Sequence, residues 1–272
     1  MQLPISVVPK LLVLTAFILS MLTLFAGSRR RVLNDASIMT LNTSASRLSP
    51  TIRGQGPFNN ISIAATEIGL QDFYSVYVLA YCSGHYTVDD YGGHRTITNC
   101  SRTSATFAFD PDKVFTLRRG FNTSDVFWPQ SIRDDFAVIQ SASKAMAIIY
   151  IIGVHATGIT SLISILQTQY KARASVIAHL AFITLSFVSL GVASSVASIL
   201  SVKFVELINR HGQGSGISAT TGHKFLGMTW SAVGLLFLTV VITVVTLPSD
   251  GVPKKSPAVA VEKKAEAEAE HA

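Results

Sequence analysis

Four stretches of the chain are almost free of charged residues and are long enough to cross a bilayer as helices. They lie at 1–28, 144–167, 174–202 and 225–247. A helix needs about 20 apolar residues to cross about 30 Å of hydrocarbon. In the first stretch the uncharged run begins at Leu11, and Pro248 follows the fourth. This pattern predicts an all-α transmembrane four-helix bundle.

The first stretch also fits a secretory signal peptide, which has an apolar core followed by small residues at a cleavage site. Ala26, Gly27 and Ser28 before Arg29 would serve as that site. However, Lys10 is the only basic residue upstream, and the apolar run is long. We therefore favour a retained helix. Both interpretations place the following segment on the same side of the membrane.

Polar segments connect the four stretches. They are a long loop at 29–143, a turn at 168–173, a second loop at 203–224 and a tail at 248–272. Because the turn is short, the second and third helices are expected to be antiparallel neighbours. The tail alternates Ala with Glu and has little to bury, so we expect disorder there.

The long loop carries the marks of an extracellular segment. It contains every Asn-X-Ser/Thr sequon of the chain, at Asn42, Asn60, Asn99 and Asn122. It also contains both cysteines, Cys82 and Cys100. N-glycosylation and disulfides belong to the non-cytoplasmic side of a membrane. We therefore predict that both loops are external and that both termini are cytoplasmic.

The distribution of basic residues agrees only in part with this orientation. Lys171 and Arg173 in the short turn, together with the lysines of the tail, favour a cytoplasmic position. In contrast, the arginines at 29–31 directly follow the first helix on the side predicted to be external. A stop before a signal-peptidase site or a contact with lipid headgroups would account for them. We give the sequons and cysteines more weight.

The apolar residues of the long loop are concentrated in two places. Residues 73–82 are aromatic and β-branched and predict a strand that ends at Cys82, and 103–109 alternate as in a second strand. The intervening segment is rich in turn residues around 89–93 and predicts a hairpin. A disulfide between Cys82 and Cys100 would close its base and stabilise the fold by about 3 kcal/mol. The alternative is two free, buried thiols.

A motif surrounds these cysteines. It reads aromatic-Cys-x-Gly, then Cys-Ser, then Phe-x-Phe-x-Pro, and its residues are Tyr81, Cys82, Gly84, Cys100, Ser101, Phe107, Phe109 and Pro111. The motif and the four-span layout resemble the fungal Sur-seven/PalI family of claudin-like cortical-patch tetraspans. Members commonly carry a Gly-Leu-Trp element before the first cysteine, where this chain has 77–81 as YVLAY. The resemblance implies a small extracellular disulfide-linked β-sheet on the four-helix bundle.

The resemblance also implies a function. It suggests a multi-pass plasma-membrane protein of eisosome-type domains, with roles in cortical organisation, wall synthesis and stress tolerance. Its partners would be the lipid bilayer, other membrane or eisosome proteins, the cell wall and further copies of the chain. A related branch, the PalI-type proteins, acts in ambient-pH signalling. A claudin-like or calcium-influx conduit is a third hypothesis, although the four stretches lack the acidic ring of a cation pore.

Composition excludes several classes of function. Only 14% of the 272 residues are charged, and the mean hydropathy is +0.42, whereas soluble domains carry about 25% charged residues. The net charge of +6 is not arranged as a basic stripe with aromatics, which argues against nucleic-acid binding. The segment 212–216 lacks the Lys of a phosphate-binding loop. We predict no catalysis and no cofactor.

Histidines offer two further hypotheses. His155 and His179 lie within the second and third stretches, where ionisable residues are functional candidates. They could form a proton-sensing pair in a shared interior, or they could be neutral and hydrogen-bonded to a neighbouring Ser or Thr, which we favour. His85 and His94 flank the acidic pair at 89–90. This group lacks the ordered ligand spacing of a zinc site, so we predict no metal.

Small residues recur in the third stretch at a spacing of four. The two pairs are Gly191 with Ser195 and Ser194 with Ser198. Small residues allow helices to approach closely in lipid. We predict that these residues pack within the bundle, and self-association between copies remains the alternative.

Overall fold

Four helices form the framework of the part of the chain that the structure describes. The computed structural model describes residues 7–29, 33–45, 47–48, 63–64, 70–89, 92–110, 130–166, 173–211 and 216–246. Within these ranges the helices are α1 (Val8–Leu24), α2 (Gln130–Leu166), α3 (Arg173–His211) and α4 (His223–Val245). Helices α2, α3 and α4 are long and apolar enough to cross a membrane, and α1 is a shorter apolar helix of 17 residues.

Two of the helices extend well beyond the apolar stretches. Helix α2 has 37 residues and α3 has 39, which at 1.5 Å per residue makes each far longer than about 30 Å of hydrocarbon. Residues 130–143 and 203–211, which we expected to be loop, are therefore helical. The α3 extension is stabilised because Phe204 and Ile208 are buried beneath the sheet.

A five-stranded antiparallel sheet caps one end of the bundle. Its strand order is β6-β5-β4-β1-β7, and its strands are β1 (Met39–Asn42), β4 (Phe73–Val76), β5 (Tyr81–Asp89), β6 (Gly92–Cys100) and β7 (Ser218–Thr221). A separate pair joins β2 (Arg47–Leu48) to β3 (Ile63–Ala64). Because β7 pairs with β1, segments from both polar loops form one sheet, which we call the sheet domain.

The structure corrects both strand predictions. The segment 73–82 is not one strand, because the chain turns between β4 and β5 and the Tyr77 N–H donates to the Ala80 carbonyl at 2.8 Å. The segment 103–109 is not a strand. Its backbone turns so that the Phe107 N–H bonds to the Ser104 carbonyl at 3.1 Å, and it then runs to the helices, where Phe109 is buried.

Three apolar clusters hold these parts together. The bundle core includes Val13, Tyr150, Leu190 and Leu236, one from each helix. A second cluster lies between the sheet and the extended end of α3. The third surrounds Cys82 and contains Ala26, Ala36 and Tyr77, so it joins the end of α1 to the base of the hairpin.

Candidate functional site

The hairpin and its disulfide are present as expected. Cys82 and Cys100 are opposite each other in the β5–β6 ladder and are joined by a disulfide. Cys82 is fully buried, whereas Cys100 is half-buried. The prediction of a bridged hairpin base is confirmed, and the bridge lies where the hairpin meets α1.

Gly84 in the motif is explained by a close backbone approach. The β5–β6 register shifts between Ser83 and Gly84. A Cβ atom at Gly84 would lie 2.0 Å from the Thr96 carbonyl oxygen and 2.8 Å from Cζ of Phe73. No other residue fits without displacing backbone, so this motif position serves the hairpin rather than a ligand.

Tyr81 and Ser101 close the base of the hairpin on the other side of the disulfide. The Ser101 N–H donates to the Tyr81 carbonyl at 2.8 Å, and the Tyr81 N–H donates to Oγ of Ser101 at 3.0 Å. The ring of Tyr81 lies 6.4 Å from that of Phe107. These contacts extend the pairing one residue past Cys100 and direct the chain toward the helices.

Phe109 packs the segment that follows the hairpin against helices α2 and α3. Its N–H donates to Oγ of Ser143 on α2 at 3.3 Å. Its ring meets Phe204 of α3 edge to face, with centroids 5.6 Å apart. The motif is therefore a mechanical connection between the hairpin and two helices. Pro111, its last residue, lies outside the described residues.

Two buried tyrosines support the sheet domain. Burial raises the pKa of Tyr74 and of Tyr77 to about 12. The hydroxyl of Tyr77 donates to the Asn34 carbonyl oxygen at 2.6 Å. Since both hydroxyls stay neutral in the fold, their contribution to stability is complete below pH 10 and is lost as the pH rises toward 12. Neither group titrates at neutral pH.

Gly27 follows the end of α1 and lies against the ring of Tyr77. It has a φ of +69°, and a Cβ atom there would lie 2.3 Å from the Tyr77 ring. Glycine is therefore required by both backbone conformation and space. This residue, considered above as part of a cleavage site, is a packing residue in the fold.

Two of the four sequons lie within the described residues. Asn99 is exposed on β6 beside Cys100. Asn42, at the end of β1, is half-buried, and its Oδ1 accepts hydrogen bonds from the N–H and hydroxyl of Ser44 at 3.0 and 2.8 Å. Asn60 and Asn122 lie outside the described residues. Glycosylation at all four remains a prediction.

The two helix histidines do not share an interior. His155 is exposed on the outer surface of α2, and its Nδ1 donates to the Ile151 carbonyl at 2.8 Å. His179 on α3 is buried and shares a hydrogen bond of 2.7 Å with Oγ of Ser164. The arrangement of His179 matches the hydrogen-bonded alternative, and the pairing of the two rings does not occur.

The small residues of α3 contact α4 within the same chain. Ser194 is buried and bonds to Oγ1 of Thr229 at 2.7 Å, and Ser198 accepts a hydrogen bond from Nε1 of Trp230 at 3.1 Å. Ser195 bonds to the Gly191 carbonyl at 2.8 Å. The contacts of Ser194 and Ser198 support packing within the bundle, and self-association between copies stays a prediction.

Charged side chains of the hairpin show no metal cluster. Nδ1 of His85 lies 3.3 Å from Oδ2 of Asp72, which also accepts the Tyr86 N–H at 3.0 Å. His94 is exposed on β6. Across the described ranges, His, Cys, Asp and Glu form no group of three or more that could hold a metal ion.

A chain of buried hydroxyl groups connects α1, α2, α3 and α4. The sequence did not predict this network. Oγ1 of Thr23 on α1 bonds to the hydroxyl of Tyr150 on α2. That hydroxyl lies 3.3 Å from Oγ1 of Thr229 on α4, which in turn bonds to Ser194 on α3. Single hydroxyls in apolar stretches do not stand out in a sequence. Only their convergence shows that they form a network.

Replacing Tyr150 by Phe should loosen this network. The change removes one hydroxyl and leaves Thr23 and Thr229 without that partner, which we expect to cost about 1 kcal/mol and to lower the melting temperature in detergent by about 2–4 °C. Thr160→Val is the matched control, since that buried hydroxyl bonds only to its own helix at Ala156. Equal shifts for both variants would show that the network adds nothing.

Together, the fold and the site define a class of protein. Three long apolar helices, a fourth shorter one and a disulfide-linked antiparallel sheet make a claudin-like membrane protein. The model of the SUR7/PalI family matches residues 5–242. The chain therefore belongs to the SUR7/PalI family. No curated protein matches the chain at a significant level.

Proposed function

We propose that the protein is a non-enzymatic plasma-membrane tetraspan that organises a cortical, eisosome-type membrane domain. The observation that carries this proposal is the β1–β7 pairing. Through it both polar loops join one disulfide-linked sheet, and α2 and α3 continue from the bundle into that sheet domain. Such a molecule presents a fixed surface outside the membrane and fixed helix faces within it, as a scaffold requires.

The topology belongs to the same proposal. The sheet domain lies outside the cell, both termini lie in the cytoplasm, and α1 is retained as a fourth span. Two contacts support retention of α1. Thr23 belongs to the hydroxyl network, and Gly27 packs against Tyr77. Cleavage after the small residues at 26–28 would release a helix that supplies part of the bundle core.

The expected partners follow from the exposed surfaces. Large apolar side chains are exposed along the helices, including Ile18, Ile152, Val188 and Phe237, and these suit the acyl chains of the bilayer. The sheet domain would contact the cell wall or the outer parts of neighbouring membrane proteins. Eisosome proteins and further copies of the chain would bind to the cytoplasmic and lateral surfaces of the protein.

Live imaging of a C-terminally tagged copy beside an eisosome marker tests this role. We expect immobile plasma-membrane patches that coincide with the marker and recover slowly after photobleaching. The Thr160→Val variant, whose hydroxyl bonds only within α2, should form the same patches and serves as a tagged control. Evenly spread or endosomal fluorescence would contradict the organising role.

Endosomal fluorescence would instead favour the PalI-type role in ambient-pH signalling. That role predicts a growth defect of a deletion strain at alkaline pH, which the organising role does not require. Among the residues that the structure describes, His155 and His179 do not form the pair that this role would use, since His155 is exposed and His179 is bonded to Ser164. Normal growth at alkaline pH, together with patches that coincide with the marker, would support the organising role and argue against the PalI-type role.

A further inference from the structure

The sequon at Asn99 overlaps the base of the hairpin. Its residues are Asn99, Cys100 and Ser101, so the residue between the acceptor amide and the hydroxyl is also one end of the disulfide with Cys82. The Asn99 side chain belongs to an exposed residue, and a glycan on it would extend into solvent. The folded surface therefore leaves room for a glycan at this position.

The fold nevertheless holds the sequon in a form that an enzyme cannot use. Oγ of Ser101 accepts a hydrogen bond from the Tyr81 N–H at 3.0 Å, and the Ser101 N–H donates to the Tyr81 carbonyl at 2.8 Å. Asn99 is paired with Ser83 in the β5–β6 ladder. A glycosyltransferase recognises the asparagine together with the hydroxyl two residues later. In the closed hairpin that hydroxyl is bonded to β5.

The disulfide determines how long the sequon stays closed. A hairpin forms in about 1–10 μs, whereas synthesis adds about 5–20 residues each second, so the two cysteines come together as soon as both have emerged. A two-stranded hairpin alone is only marginally stable and reopens. A bridge across 18 positions lowers the open fraction about a hundredfold in the chain-entropy model. The sequon is therefore available mainly before the bridge forms.

We propose that closure of the bridge between Cys82 and Cys100 during synthesis prevents glycosylation of Asn99, so that the mature protein carries no glycan there. The proposal rests on the external placement of the long loop, and it narrows the four predicted glycans to three. A glycan on Asn99 marks a chain whose hairpin closed late.

Two reactions compete in this proposal. In the first, a protein disulfide of the secretory compartment oxidises the two thiols, which lose two protons and two electrons, and is itself reduced to a dithiol. In the second, Nδ2 of Asn99 forms a bond to C1 of an oligosaccharide and displaces its lipid diphosphate carrier, and the amide loses one proton to the transferase. The first reaction removes the substrate of the second.

Occupancy of the sequons, measured by mass spectrometry of peptides from the full-length protein, tests the proposal. The whole membrane fraction of the expressing cells is analysed, so chains that misfold are also counted. We expect Asn99 to be almost free of glycan in the unmodified protein, and Cys82→Ser should raise its occupancy about tenfold because the bridge no longer closes the hairpin. Cys82→Ser leaves the sequon intact, whereas Cys100→Ser would change it.

Phe109→Ala is the matched control. It removes a buried ring and retains both cysteines, so Asn99 should stay as free of glycan as in the unmodified protein. A reductant added during synthesis provides a second measurement without any substitution. Because the chain has only two cysteines, the reductant acts within it on this bridge alone, and occupancy at Asn99 should rise.

Glycosylation of most Asn99 in the bridged protein would overturn the proposal, as would equal occupancy in the unmodified and Cys82→Ser proteins. An equal rise in Phe109→Ala would also overturn it, because slow folding rather than the missing bridge would then expose the sequon. The sequons at Asn60 and Asn122 report the external placement separately. Glycans there without a rise at Asn99 in Cys82→Ser would refute the competition alone, whereas no glycan at any sequon in any variant would refute the external placement and this proposal with it.

Discussion

Replacing Cys100 by Ser is expected to lower the free energy of unfolding by about 3 kcal/mol. The disulfide joins residues separated by 18 positions, and closing a loop of that size stabilises a fold by about this amount in the chain-entropy model. The remaining Cys82 thiol stays in its apolar cluster and adds little further cost. Thermal unfolding in detergent, with and without a reductant, measures the effect.

Cys82→Ser should cost more than Cys100→Ser, although both break the same bond. Cys82 is fully buried among Ala26, Ala36 and Tyr77, whereas Cys100 is half-buried. A serine hydroxyl at position 82 therefore enters an apolar cluster in which the Gly27 carbonyl oxygen lies 3.3 Å from the present sulfur atom. Burial of the hydroxyl, offset in part by a hydrogen bond to that carbonyl, adds about 1 kcal/mol. Melting temperatures that are equal for the two variants would refute the asymmetry. A reductant that leaves the unmodified protein unchanged would refute the role of the bridge itself.

The parts of the fold that could be predicted are those with a strong local signal. The apolar stretches of α2, α3 and α4 are visible because they are long, and the hairpin is visible because turn residues lie between two cysteines. Such signals depend only on neighbouring residues. Hydropathy, however, reports where a helix can lie in lipid and not where it ends, which is why the extensions of α2 and α3 were missed.

The rest of the fold depends on contacts between distant parts of the chain. Strand β7 has the sequence SATT, with no alternation of apolar residues, and it is a strand because it pairs with β1. The hydroxyl network is equally non-local, since Thr23, Tyr150 and Thr229 meet only after the helices pack. For the same reason, the positions of His155 and His179 could not be derived from their depth in the helices.

The motif illustrates the difference between recognising residues and knowing their role. Its members could be selected from the sequence, but alternation suggested that Phe107 and Phe109 share one face of a strand. In the structure Phe109 is 1% exposed and packs on Phe204, while Phe107 is half-buried near Tyr81. The two phenylalanines are two residues apart in one motif and adjoin the same apolar cluster, but only Phe109 is fully buried in it. This contrast makes them a matched pair for experiment.

Phe109→Ala is expected to cost about 3–5 kcal/mol, as for other buried phenylalanines. The change empties a site between the sheet domain and α3, whereas Phe107→Ala removes a half-buried ring and should cost about 1 kcal/mol.

A double-mutant cycle with Phe204→Ala isolates the edge-to-face contact between the two rings, which we expect to contribute about 0.5–1.5 kcal/mol of coupling. Thermal unfolding of the four cycle proteins and of Phe107→Ala provides the measurement. If Phe109→Ala and Phe107→Ala were equally stable, or if the coupling were zero, the motif would not connect the hairpin to the bundle. A large loss for Phe109→Ala that is coupled to Phe204→Ala would establish that connection, because these two rings meet across the boundary between the sheet domain and α3.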